Sequence, residues 1–271
     1  MPKPIRKIVH MDEKVLKPAD RIQAGSKVNS MPSRDALQKS MVGKPRIYDL
    51  EGNLLADEEN LVVLVGREYL AQILAMRPPI GAGQCPNGTS AGNACDYTDY
   101  KVLYFGVGDG GTSNDCPPQT IGPYDNDVDL VNRVIIKEPT AGGTEPNYID
   151  GGRLKRIEQI DDQGLVTEGE ISVEIEEHTI NTDQGGQVVV EAYTAVKYKM
   201  YLQPDEAPKN DPNHMGYFKF NEAGLYAVKH VDDGTGNMVP TNDYILFARF
   251  TTLDKYLEAA DGIMIEWYIL V

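Results

Sequence analysis

The sequence predicts a mainly β protein, an antiparallel β-sandwich or barrel-like body with one short helix and an extended N-terminal arm. Three observations carry this. Eight or more runs rich in β-branched and aromatic residues recur after residue 46, each bounded by Gly, Pro, Asn or Asp. Seventeen prolines and 26 glycines, spread along 271 residues, favour many turns over long helices. In the last run Ile263, Ile265, Trp267, Ile269 and Val271 share one apolar face, and Met264, Glu266, Tyr268 and Leu270 share the other. Exposing the first face would cost about 1.5–3 kcal/mol for each large side chain, so this strand is expected inside the sheet. Residues 244–252 and 263–271 read as two antiparallel strands joined through the turn dipeptide Asp261-Gly262.

The net charge of −15 hides an asymmetry. Residues 1–46 carry eleven Lys and Arg against four acids, a balance of +7, which leaves −22 for residues 47–271. This basic end is interrupted by Pro2, Pro4, Pro18, Pro32 and Pro45 and has little hydrophobic periodicity, apart from a short helix-like piece over residues 33–41. It reads as an extended arm, with residues 47–271 as the body. A tail without a role and a nucleic-acid contact are alternatives, but no aromatic residue is present in the arm to stack a base. The favoured reading lays the arm on the acidic body of a neighbouring copy, with Arg6, Lys7, Lys14, Lys17 and Arg21 as contacts. No apolar run approaches the roughly 20 residues of a membrane helix, and residues 1–10 lack the apolar segment of a signal peptide. No membrane partner and no export by the usual route are expected.

In the body, residues 46–50 and 53–55 flank Glu51-Gly52-Asn53 as a hairpin. Residues 60–66 read as a strand and residues 67–76 as a helix. Leu70, Ile73 and Leu74, with Tyr69 and Met76, fall near one helical face, and Pro78-Pro79 stops it. Residues 101–108 form the next strand, followed by strands over 130–137, 154–160, 171–177, 187–202 and 216–220. In residues 171–177, Ile171, Val173 and Ile175 are expected inward and the acids outward. Residues 183–186 and 232–236 are expected hairpin tips.

Motifs for chemistry are few. Cys85, Cys95 and Cys116 fit no zinc pattern. A disulfide between Cys85 and Cys95 would staple a long loop, and three ordinary thiols are the alternative. Gly106, Gly108 and Gly111 spell G-x-G-x-x-G, but Pro117-Pro118 arrives where a phosphate loop needs a helix. Asp125-Asn-Asp-Val-Asp129 begins like a calcium loop, yet Leu130 replaces its glycine and Ile136 its final glutamate, so a solvated acidic turn is expected. His10, His178, His214 and His230 lack partners at catalytic or ligating spacings. No enzyme activity, metal or cofactor is expected.

Several blocks together resemble bacteriophage tail-associated and collar-fibre-like virion proteins. They are Asn60-Leu-Val-Val-x-x-Gly66-Arg67-x-x-Leu70; Tyr104-Phe-Gly-Val-Gly108-Asp-Gly with Asp127-Val-Asp-Leu130; Phe220-Asn221-Glu222-Ala223-Gly224-Leu225-Tyr226 with Leu246-Phe-Ala-Arg-Phe-Thr251; and Ile265-Glu-Trp-Tyr-Ile269. The resemblance implies a non-enzymatic structural protein of the tail, neck or collar, or baseplate. Such a protein is made in the host cytoplasm, resides in the virion, and is a homo-oligomer of cyclic symmetry contacting other virion proteins. Asn221, Glu222, Gly224 and Tyr226 are expected to build a structural turn, in which Gly224 takes a positive φ and Glu222 accepts backbone N–H groups. Two alternatives stay open. One is a capsid decoration or vertex protein; the other is a carbohydrate- or receptor-binding module on a fibre, whose contacts would be Tyr97, Tyr100, Tyr124 and Tyr148.

Overall fold

The computed structural model describes residues 42–58, 60–75, 95–138, 147–161, 163, 165–181, 188–204, 206, 217–258 and 262–270. In chain order the elements are β1 (Val42–Asp49), β2 (Leu54–Asp57), β3 (Asn60–Val62), α1 (Leu64–Ala75), β4 (Tyr100–Gly108), β5 (Tyr148–Ile149), β6 (Leu154–Arg156), β7 (Gln159–Ile160), β8 (Val166–Glu168), β9 (Glu170–Asn181), β10 (Val188–Leu202), β11 (Tyr217–Asp232), β12 (Met238–Glu258) and β13 (Ile263–Leu270). All pairings are antiparallel. Eleven strands form one open sheet in the order β5-β6-β4-β11-β12-β3-β1-β13-β10-β9, with β2 beside β1, while β7 and β8 pair separately. The sheet curls until its two halves meet as the layers of a sandwich: the Lys155 ammonium on β6 lies 2.7 Å from the Tyr201 carbonyl of β10.

Between the layers sits one aromatic core. Phe250 meets Trp267 edge-on at 5.0 Å and Phe220 at 6.2 Å, and all three are fully buried. The alternating face of β13 lines it through Ile263, Ile265, Trp267 and Ile269. β13 is interior as expected, but its neighbours are β1 and β10. The expected direct pairing of the last two long strands does not form, because β3 and β1 lie between β12 and β13. Alternation marks which face is buried and says nothing of which strand lies alongside.

Further expectations are corrected. Residues 42–46, expected in the arm, belong to the sheet: Gly43 to Asp49 pair in register with Ile269 to Ile263, and Pro45 is buried opposite Trp267. The helix starts at Leu64 and buries Val65, Tyr69 and Gln72, while Ile73 and Leu74 are exposed. Gln72 fixes that face, since its amide donates to the Cys95 carbonyl and accepts from the Tyr97 N–H. At Gly66 a Cβ would lie 2.2 Å from the Phe247 carbonyl oxygen, so the glycine is what lets α1 approach β12. Residues 130–137 form no strand; they are a loop held to the sheet by an isolated bridge, Gly108 to Arg133, and by side-chain bonds to β11 and β12.

Residues 220–226, expected as a turn, lie within β11, paired with β12 on one side and β4 on the other. Gly224 has no positive φ. Its missing side chain instead admits Leu246 and Tyr226, whose atoms would stand 2.8 and 3.0 Å from a Cβ. The expected hairpin at Gly52 forms with a positive φ there, and the expected tip over residues 232–236 has positive φ at Gly234 and Gly236. In β9 Ile171 is half-buried against the core, but Val173 on the same face, also expected inward, is 68% exposed. Ile175 has no described side chain, and residues 1–41, 85 and 183–186 lie outside the described residues.

Candidate functional site

The densest set of buried polar side chains lies where β11 and β12 meet the loop that follows β4. The β11–β12 register shifts between Phe220 and Glu222, with β12 carrying the longer excursion over residues 252–254. A bulge re-aims side chains, and here two consecutive residues, Asn221 and Glu222, both reach the loop. Glu222 accepts the N–H groups of Gly110 at 3.2 Å, Val131 at 3.1 Å and Asn132 at 2.9 Å. Arg249 on β12 completes its shell, with Nε at 3.1 Å and Nη2 at 2.8 Å from Oε2. Arg249 also gives Nη1 to Asp127 at 2.7 Å and Nη2 to the Ile121 carbonyl at 3.3 Å.

Asn221 extends the network. It accepts the Gly111 N–H at 2.6 Å and donates to the Asp109 carbonyl, the Thr112 hydroxyl and Asp254. Asp254 in turn accepts the Thr112 hydroxyl at 2.6 Å and pairs with Lys219 at 3.2 Å. Partial burial opposes its ionisation, but the bonds from Asn221, Thr112 and Lys219 prevail and hold its carboxyl below the ordinary range. Gly108 closes the fit, since a Cβ there would stand 2.5 Å from the Asn132 carbonyl oxygen and 2.6 Å from Glu222 Oε1.

The acid run Asp125 to Asp129 is thereby explained. Asp125 meets Arg67 at 3.3 Å, Asp127 meets Arg249, and Asp129 meets Arg133 at 3.0 Å. Its carboxylates diverge to three arginines, where a calcium loop would converge on one ion, and the expectation of a merely solvated turn is corrected as well. Arg133 further bonds Tyr244 at 2.6 Å and Asp150 at 2.9 Å, and its guanidinium lies 4.9 Å above the Tyr244 ring. Tyr226 donates to Asp129 at 2.6 Å; burial pushes the Asp129 carboxyl upward, against the pull of Tyr226 and Arg133.

A third cluster joins the layers. Lys155, fully buried, donates to Glu168 at 2.9 Å, Glu206 at 2.6 Å and the Tyr201 carbonyl at 2.7 Å, so its three N–H bonds are all used. Tyr148 donates to Glu206 as well. Beside it lies an open depression of about 360 Å³, lined by residues 166–170 with Lys199, Tyr201 and Gln203. His230 is buried with Nδ1 2.9 Å from the Val228 carbonyl oxygen, and burial lowers its pKa.

Among the residues singled out in the sequence, Asn221, Glu222 and Tyr226 enter these networks and Gly224 packs against Tyr226, Leu246 and Leu130, but as parts of a strand. Cys95 is buried and disulfide-bonded, while Cys116 is an exposed free thiol; Cys85 lies outside the described residues. The tyrosines considered for a glycan platform are dispersed: Tyr97 and Tyr100 are buried, Tyr148 is half-buried on Glu206, and Tyr124 is exposed. Among the described residues no three His, Cys, Asp or Glu side chains cluster as metal ligands, and no helix is long and apolar enough to cross a membrane. Sequence reading missed Arg249 and Lys155. Arg249 carries a signal, a lone cation within the apolar run Ile245-Leu-Phe-Ala-Arg-Phe250, because a charge in a buried strand demands a partner. Lys155 stands in Leu154-Lys-Arg156, with no such contrast. The chain matches no family model, no curated protein and no solved structure.

Proposed function

We propose that this chain is a non-enzymatic structural subunit of a bacteriophage particle, placed in the tail, the neck or collar, or the baseplate. The observation that carries the reading is the convergence at Glu222 and Arg249. Segments with the resemblance to phage tail-associated and collar-fibre-like proteins, residues 104–110, 127–130, 220–226 and 246–251, supply Gly110, Asp127, Glu222 and Arg249 to one buried network. A shared pattern held by mutual burial is accounted for by architecture. Glu222 is spent on three backbone N–H groups and a guanidinium, and Arg249 on two carboxylates and a carbonyl, so these groups hold a loop where an active site would present them to a substrate.

Assembly follows from the charge. A basic N-terminal end and an acidic body, +7 and −22 across residue 46, favour head-to-tail contacts between copies in a closed ring as well as contacts with neighbouring virion proteins. Nucleic acid, cofactor and membrane play no part in this reading. Immunogold electron microscopy of intact particles, with an antibody against the body, tests it. Gold at the tail, neck or baseplate is the expected result, and gold over the shell would make the chain a capsid decoration protein instead. Absence of label from both intact and disrupted particles would remove the virion reading.

A further inference from the structure

β9 is the outer strand of the large sheet, and among the described residues it pairs with β10 alone. The strand is twelve residues long; near its start the Ile171 N–H is taken by Glu158 at 3.1 Å, and beyond that, among the described residues, no strand pairs with its outer edge of backbone N–H and C=O groups, a template for another strand. The body ends its sheet in an unusual way here. Gly43 pairs with Ile269, Ile269 with Val196, and Val196 with Val173, a row across four strands. Beyond that row, among the described residues, β13 pairs with β10 only at Ala195–Leu270, whereas β10 and β9 stay paired out to Val188 and Asn181. β1 runs parallel to β10, so its Val42 end lies on the side toward which β10 and β9 extend.

Charge selects the occupant. β9 contains Glu170, Glu174, Glu176 and Glu177 and no Lys or Arg. A second β9 would set glutamates against glutamates, and like charges on paired strands are destabilising. Residues 1–41 hold nine Lys and Arg against four acids. Within them Ile5-Arg-Lys-Ile-Val9 joins β-branched residues to two cations, a composition suited to a strand on an acidic edge. The 32 residues between Val9 and Val42, extended at about 3.3 Å each, reach roughly 100 Å, far enough to arrive at another molecule.

Resting on the assembly reading above, we propose that the basic segment around residues 5–9 of one copy adds as a strand to the open β9 edge of the next copy. The test uses the full-length chain with a photo-crosslinking phenylalanine analogue in place of Val173, which is exposed. Light and ¹⁵N-labelled chains are mixed before assembly and irradiation, and crosslinked peptides are identified by mass spectrometry. The expected products join the β9 peptide to peptides from residues 1–41, in mixed-isotope as well as uniform pairs. Glu170→Lys with Glu176→Lys should lower their yield about tenfold, as for the loss of a charged contact of moderate strength, and Arg6→Glu with Lys7→Glu should restore it. Uniform pairs alone, which mean an arm folded onto its own body, would overturn the proposal. So would β9-to-β9 products, or an absence of arm peptides. Gold-labelled particles lacking the mixed pairs would overturn this docking and leave the virion reading standing; mixed pairs from a chain that never labels particles would do the reverse.

Discussion

Arg249 and Glu222 sit diagonally across β12 and β11, two positions apart in register with the Ala223–Phe250 pair between them, and share a fully buried double hydrogen bond at 2.8 and 3.1 Å. Removing one partner of a buried pair strands the other charge, which typically costs about 3–5 kcal/mol. Arg249→Met is therefore expected to destabilise the body by about that much, since it strips Asp127 of its partner too. Adding Glu222→Gln to Arg249→Met should recover part of the loss, because the amide oxygen still accepts the Gly110 and Asn132 N–H groups with no charge to bury, and only the bond from the Val131 N–H is given up. Urea unfolding of the single and double variants measures both. A single variant within about 1 kcal/mol of the parent would mean that the pair is not what holds the loop.

Lys155 presents the same physics between layers. Lys155→Met leaves Glu168 and Glu206 facing each other without the ammonium, and a loss of about 3–5 kcal/mol is expected. Because Tyr201 belongs to β10 and Lys155 to β6, amide hydrogen exchange should rise in both strands together. Faster exchange confined to β6 would show that the contact does not couple the layers.

Much of this was legible in the sequence for a simple reason. A strand with one buried face writes that face into every second residue, so Ile263, Ile265, Trp267 and Ile269 announced themselves. Lateral neighbours leave no such trace, and the separation of β12 from β13 by β3 and β1 could not be read. Asn221 and Gly224 misled for a different reason. Asn and Gly are turn residues by composition, but here Asn221 answers the hydrogen-bond demand of the loop at Gly111, and Gly224 makes room for Leu246 and Tyr226. Those demands belong to the tertiary structure. The network on Glu222 was half-visible: that it accepts backbone N–H groups was anticipated, but those donors lie on the loop at Gly110, Val131 and Asn132, not in a turn of its own, and Arg249 was not foreseen.

His230 gives a pH dependence. Burial lowers its folded pKa, and the nearby Lys101 and Arg156 charges add to this, while the bond to the Val228 carbonyl opposes it. The unfolded chain thus binds a proton more readily than the folded one. The stability attached to the neutral ring is present above the unfolded value of about 6.5 and is lost as pH falls through the folded one. Asp129 acts with the opposite sign at lower pH, because burial raises its folded pKa and protonation relieves it. Thermal melts between about pH 7 and 5 should show the parent losing stability and His230→Gln holding a flatter profile. Parallel profiles for the two chains would assign the slope to other groups.

The pairing of residues 42–46 within the sheet sharpens how the arm is to be tested. Deleting residues 1–46 would remove the N-terminal half of β1, including the pairs Gly43 to Ile269 and Pro45 to Trp267, and would uncover the β13 backbone at the centre of the sheet. Deleting residues 1–41 takes away most of the basic excess and spares every pair that β1 makes. The two truncations should separate folding from assembly. The shorter deletion is expected to keep a parent-like melting curve yet fail to enter particles, while the longer one lowers the melting temperature by several degrees or yields aggregated chain through the exposed strand edge. Circular dichroism melts and quantitative immunoblots of purified particles read the two effects apart. Normal incorporation of the chain lacking residues 1–41 would sink the role given to the arm, and equal melting of both truncations would show that residues 42–46 contribute nothing to the sheet they join.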